Sequence, residues 1–139
     1  MQTFLPYPSF DSVRLLDMKR LGKQRVEAKQ ILKALSSGPG AAWYNHPAVQ
    51  MWKGYEMALC CYLNSCIRWW IGKGYKNTML SVNLQGFSVK LPPWFGNDRF
   101  HESHRSNLMR KNPEYYSQFD WGEPDNLPYF WPTKEGYQI

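Results

Sequence analysis

Apolar residues recur at helical spacing in two stretches of the chain. In the first they are Val13, Leu16, Leu21, Ala28, Ile31, Leu32 and Leu35. This stripe is regular at both ends and thin around Gly22. Asp11 or Ser12 is suited to cap its start, and Gly22 marks a bend or a second start capped by Asp17. The S-S-G-P-G run from Ser36 to Gly40 ends it with turn chemistry. The second stripe is stronger: Met51, Trp52, Tyr55, Leu59, Tyr62, Leu63, Cys66 and Trp70 advance in steps that keep one helical face. Asn45-His46-Pro47 opens this helix, with Pro47 at its first position and His46 as a cap or polar contact, and Gly72 and Gly74 close it. Its stripe reads as core.

Elsewhere the pattern weakens. Pro6 and Pro8 keep Met1 to Phe10 from being helical throughout, so it reads as an extended lead-in. Met79 to Phe100 reads as loop with a short extended piece. Glu102 to Arg110 reads as a third, short helix that Asn112-Pro113 ends. Tyr115 to Trp131 is dense in aromatics and proline and has no stripe of its own, so it is expected to cover the helices irregularly. The pattern therefore predicts an all-α fold, one compact domain over residues 1–139, with about three main helices and an irregular aromatic C-terminal segment.

Composition adds the character of the core. With seven Trp, nine Tyr and seven Phe in 139 residues, the interior must be built largely of rings, which bury much area per residue. Cys60, Cys61 and Cys66 fall in one apolar stretch without a C-x-x-C spacing, so they read as reduced core residues of a cytoplasmic protein. The N-terminus lacks the layout of a signal peptide, and no window is apolar enough to span a membrane.

Charge changes the picture more. The formal net charge is +6. Residues 12–35 hold Arg14, Lys19, Arg20, Lys23, Arg25, Lys29 and Lys33 against only Asp17 and Glu27, and so carry most of it. One strongly basic helix on a nearly neutral body is the footprint of a phosphate binder, although a solvated helix face has the same signature.

Two groups in this region could do chemistry. Glu27 is one of two acids on the basic helix. An anion facing DNA could support a cationic sugar or Schiff-base intermediate and move protons. The simpler alternative is an intrahelical ion pair with Lys23, four residues earlier. The α-amino group of Met1 is the second candidate, since amines attack sugar carbons and form Schiff bases; most chain termini instead fray into solvent. His101 and His104 could share a helix face, but no third ligand stands near them, so no metal site is expected. No Gly-rich phosphate loop, G-x-S-x-G or H-E-x-x-H is present.

Three stretches now combine. They are L-L-D-M-K-R-L-G-K-Q-R-V-E (Leu15 to Glu27), H-P-A-V-Q-M-W-K-G-Y-E-M-A-L (His46 to Leu59) running on to I-R-W-W-I-G-K-G-Y-K-N-T, and F-H-E-S (Phe100 to Ser103) followed by N-P-E-Y-Y. Their order and spacing resemble the pyrimidine-dimer DNA glycosylases of the phage endonuclease V type. The likeness is nearest to the branch whose members begin M-Q-T-F-L-P and carry R-L-G-K-Q-R-V-E. The resemblance implies a helical DNA-repair enzyme that needs no metal or cofactor, acts on double-stranded DNA as a monomer, and flips a nucleotide out of the stack. It implies attack of the N-terminal amine on the sugar carbon C1′, a Schiff base supported by a first-helix glutamate, and abasic-site lyase activity by β-elimination. Glu27 falls on that glutamate. Arg20, Lys23 and Arg25 fall near the family's DNA-contacting cations, Lys29 and Lys33 continue that basic face, and Gln2, His46 and Lys53 are further contact candidates. In the family's best-known member, loss of Met exposes a threonine amine. Here Gln2 follows Met1, so the amine of Met1 itself becomes the nucleophile, with Lys19 or Lys23 as alternatives. Two other classes stay open at this level: a non-catalytic nucleic-acid-binding module stacking bases on Trp94, Trp121 or Trp131, and a protein-interaction domain using the aromatic tail.

Overall fold

A computed structural model describes residues 1–133 and 136–138. After an extended lead-in, a 3-10 helix covers Phe10–Leu15 and is capped by Ser9, whose Oγ accepts from the Asp11 N–H. Helix α1 follows (Met18–Ser37), then α2 (Pro47–Gln50), α3 (Glu56–Gly72), α4 (Asp98–Lys111) and α5 (Pro113–Tyr116). A second 3-10 turn spans Ser117–Phe119, and strands β1 (Trp131–Thr133) and β2 (Gly136–Gln138) pair antiparallel, Trp131 opposite Gln138. Five α-helices, two 3-10 helices and a strand pair thus occupy the described residues, which corrects the expected all-α chain of about three helices.

The extra segments come from breaks in the two long stripes. The first breaks at Leu16–Asp17: of the two expectations for this region, the second start at Asp17 is the one observed, without a side-chain cap bond. The Lys73 ammonium reaches back to the Arg14 and Leu16 carbonyls (2.8 and 3.3 Å), and the Asp17 N–H donates to the Tyr116 hydroxyl (3.0 Å). Distant side chains thus take up the polar groups a continuing helix would have paired. Gly22 lies inside α1 for a different reason. A Cβ there would sit 2.9 Å from the Trp70 ring, so glycine lets α3 approach closely. The second stripe breaks at Gly54, whose φ of 87° ends the short turn after α2. The Met51 carbonyl, released there, accepts from Trp94 Nε1–H at 3.0 Å.

Helices α1 and α3 pack face to face through Leu21, Ala28, Ile31, Leu59, Tyr62, Leu63 and Cys66, all buried. Trp52, Trp94 and Phe100 extend this core toward α4, with ring centroids 4.9 and 4.6 Å apart along the chain of contacts. The tail covers one end: Trp121 stacks on Tyr116 and Phe119. No helix is long and apolar enough to cross a membrane among the described residues.

Residues Thr3–Pro6 are buried although they are neither helix nor strand. Their backbone groups are served by side chains. Tyr62 Oη accepts from the Phe4 N–H (2.9 Å), His104 Nδ1 accepts from the Leu5 N–H (3.0 Å), and the Leu5 carbonyl accepts from His101 Nδ1–H (2.8 Å). His101 Nε2 meanwhile accepts from the Gly96 N–H (3.0 Å). These contacts require both imidazoles neutral and in opposite tautomers. Burial pushes both pKa values down, that of His104 to about 3. The unfolded chain binds these protons near ~6.5 and the folded chain does not, so the contribution to stability is complete above ~6.5 and is lost as pH falls from there toward about 3. A pH change from 7 to 5 should therefore cost about 2 kcal/mol through His104 alone. Denaturant titrations at the two pH values check this, and His104→Gln should flatten the dependence; a parent protein equally stable at both would contradict it.

Candidate active site

The N-terminal segment and α1 meet through one buried hydroxyl. Tyr62, on α3, accepts from Phe4 N–H and directs its proton to Gln24 Oε1 at 2.7 Å, with the Phe4 carbonyl a longer alternative at 3.0 Å. Burial raises the Tyr62 pKa well above the ordinary tyrosine value, so it stays a hydroxyl. Gln24 Nε2 then donates to Glu27 Oε2 at 3.0 Å. Phe4, Tyr62, Gln24 and Glu27 form a continuous relay, which fixes the carboxylate relative to the chain start. Glu27 is half-buried and makes no ion pair among the described residues. The expected alternative, a pair with Lys23, is not formed.

Met1 and Gln2 are half-buried, and Thr3 Oγ1 accepts from Trp52 Nε1–H at 3.3 Å. His46 caps α2, its Nδ1 accepting from the Ala48 N–H at 3.0 Å. Its pKa is lowered first by burial and then by the Met1 ammonium, so His46 and the terminal amine share one neighbourhood. Tyr129 lies on the same side. Burial raises its hydroxyl pKa, contacts with Gln2, Arg110 and Arg20 oppose this, and Glu27 adds to it. Gln2, Arg20 and Glu27 thus share Tyr129 as a neighbour, and the terminal amine acts on His46.

The remaining basic candidates divide. Lys23, Lys29 and Lys33 are exposed along α1. Arg20 is half-buried and paired with Asp17 at 3.2 Å, and Asp17 also accepts from the Tyr116 hydroxyl. Arg25 points to α3: its guanidinium lies 4.4 Å from the Trp70 ring centre and donates to Asn77 Oδ1. It anchors the segment after α3. Lys53 is exposed and lies 5.6 Å over the Tyr44 ring, away from the relay. Of the three proposed stacking tryptophans, Trp94 is buried in the core, Trp121 is half-buried in the tail stack, and Trp131 contacts His46 edge-on at 6.2 Å. The sequence reading missed Gln24, Tyr62 and Tyr129. Gln24 sat three residues before Glu27 as an available signal; Tyr62 was assigned to core, and nothing in its spacing distinguishes a polar task from packing.

A cavity of about 580 Å³ lies elsewhere, between Lys29, Leu32, Lys33, Leu63, Leu80 and Val82. Among the described residues no three His, Cys, Asp or Glu side chains converge as metal ligands.

Residues 1–82 match the family model of pyrimidine dimer DNA glycosylases, more than half of the chain. The chain belongs to the pyrimidine dimer DNA glycosylase family. No curated protein and no solved structure matches it. The matched span carries Met1, the relay and His46, while α4 and the tail lie beyond it.

Removing the relay hydroxyl by Tyr62→Phe should leave the Phe4 N–H and the Gln24 carbonyl unpaired in a dry setting. The expected loss is about 1–3 kcal/mol of stability, with faster amide exchange at Phe4. Unchanged exchange and stability would mean that the relay does not hold the segment.

Proposed function

We propose that the chain is a DNA N-glycosylase acting on a damaged or modified base in duplex DNA, a pyrimidine dimer being the substrate class that family membership favours. The observation that supports this reading is the buried relay from Phe4 through Tyr62 and Gln24 to Glu27, because it ties the beginning of the chain to the carboxylate of the basic helix.

In the proposed reaction the neutral Met1 amine attacks C1′ of the lesion nucleotide. The C1′–N bond to the base breaks, its electron pair leaves with the base, and the base takes up a proton. Loss of the amine proton and opening of the sugar ring give a Schiff base. Removal of a C2′ proton then expels the 3′ phosphate, the abasic-site lyase step. Glu27 supports the cationic sugar and iminium and serves as a proton carrier. Gln24 is its positioning partner. Lys23, Lys29 and Lys33 contact phosphates, and Arg20, Arg25, Gln2, His46 and Lys53 are contact candidates of the second rank, since Arg20, Arg25 and His46 already have protein partners.

Borohydride should trap a covalent protein–DNA adduct on abasic or dimer-containing duplex, with peptide mapping placing the link at Met1 rather than Lys19 or Lys23. Glu27→Gln should bind DNA as the parent does and lose roughly 10²–10⁴ in turnover. Neither adduct nor base release across a panel of lesions would end the enzymatic reading. Replacing Lys23, Lys29 and Lys33 together with Gln should reduce the magnitude of the slope of log affinity against log salt by up to about 3. An unchanged slope would remove these lysines from the interface.

A further inference from the structure

The turn between α1 and α2 carries an unusual residue. Trp43 has φ of 70°, in the left-handed region, and its side chain is 58% exposed. A bulky L-residue seldom adopts this conformation, and Asn or Gly would relieve it. Burying the indole does not explain it, because the ring faces solvent. The neighbours hold the strain in place. Tyr44 is buried, its carbonyl accepts from Gln50 Nε2–H at 2.7 Å, and the Trp43 carbonyl accepts from the His46 N–H at 2.9 Å. The indole meets the His46 ring edge-on, with centroids 5.8 Å apart, and Trp131 meets His46 from another direction at 6.2 Å. His46 caps α2, and Trp52 just beyond that helix bonds Thr3 of the buried lead-in. A strained, solvent-facing indole thus stands beside the entrance to the N-terminal segment.

We propose that Trp43 is a DNA-stacking residue which occupies the space left in the duplex when a nucleotide turns out of the stack beside the Met1 and Glu27 site. This rests on the glycosylase reading of that site. The chemistry suits the task. An indole offers a wide apolar face to a base whose neighbour has left the stack, and such contact tolerates any base sequence. Holding the ring out in advance avoids ordering it at the moment of binding. A left-handed backbone at a residue left 58% exposed, with one edge contact to His46, fits a position kept for contact with a ligand. The other large exposed apolar residues of the described chain are Tyr7 on the lead-in, Met18 and Val26 on α1, Ile71 on α3, and Leu80, Val82, Phe87 and Leu91 after it, and none of them has a left-handed backbone.

The test compares the parent protein with Trp43→Gly, Trp43→Ala and Trp43→Phe. Three readouts are needed: binding to a duplex with one abasic site, 2-aminopurine fluorescence beside that site, and borohydride trapping on the same abasic strand in duplex and single-stranded form. Trp43→Gly relieves the backbone and should melt no more than about 3 °C below the parent. Trp43→Gly and Trp43→Ala should nevertheless bind the abasic duplex roughly 5- to 150-fold more weakly, the span of one lost base–aromatic stack. They should lose the 2-aminopurine response and the same fraction of duplex trapping, and keep single-strand trapping within about twofold of the parent, while Trp43→Phe recovers most of the loss. Parent-like duplex binding and 2-aminopurine response in a folded Trp43→Gly would overturn the proposal. So would equal losses on duplex and single strand. If the parent traps no adduct, the catalytic reading fails, and the binding and fluorescence arms still decide whether Trp43 stacks in DNA.

Discussion

The fold is organised around a stretch of extended backbone that lies in the core without a sheet to pair with. Phe4, Leu5 and Pro6 offer two N–H groups and three carbonyls, since proline has no donor. Four find side-chain partners: Tyr62 for the Phe4 N–H, His104 and His101 for Leu5, and Arg105 for the Pro6 carbonyl at 2.6 Å, while the Phe4 carbonyl competes with Gln24 for the single Tyr62 proton. Each partner left unmade would cost about 1–3 kcal/mol. The arrangement therefore survives only if α3 and α4 present four specific polar groups at once. This requirement, more than apolar packing, fixes where the chain start lies.

The clamp also joins two parts of the molecule. Tyr62 belongs to the span that matches the family model, whereas His101, His104 and Arg105 sit on α4 beyond it. Tyr129 and Trp131, which approach Gln2 and His46, come from the tail. The surroundings of the chain start are consequently completed by residues outside the matched span. Changes in α4 and the tail would therefore reshape those surroundings while Glu27 and its hydrogen-bonded partners stay in place.

Periodicity made much of this legible, and its failures share a cause. The α3 stripe, the Pro47 start with His46 as its cap, the Gly72 stop and the S-S-G-P-G end of α1 could all be read from local chemistry, because each depends on residues within a turn or two. Asp17 was legible as a second start, but the contact that holds the break, its N–H to Tyr116 99 positions away, was not. Gly22 was visible as an oddity, but its reason is a ring on another helix. His101 and His104 were read as able to share a helix face, although the expected helix began only at Glu102 and α4 begins at Asp98, and their task went unseen because nothing local says that two buried imidazoles will hold a peptide. Glu27 stood out by its charge context and by the family resemblance; its partner Gln24 is uncharged and gave no comparable signal.

The handling of Glu27 shows which force decides at the site. Lys23 is four residues before it, the right spacing for a surface ion pair, yet Glu27 turns instead to Gln24. An exposed pair of that kind contributes about 0.2–0.5 kcal/mol. Leaving the Gln24 amide without an acceptor would cost about 1–3 kcal/mol, because Gln24 is 1% exposed and its carbonyl is already committed to Tyr62. The buried hydrogen bond wins over the surface charge pair. As a result Glu27 Oε1 accepts no hydrogen bond from the described residues, while Lys23 remains at the surface. Satisfying a dry amide in the core thus leaves one carboxylate oxygen and one ammonium uncommitted on the same helix face, which is the condition a phosphate-binding surface with an embedded anion requires.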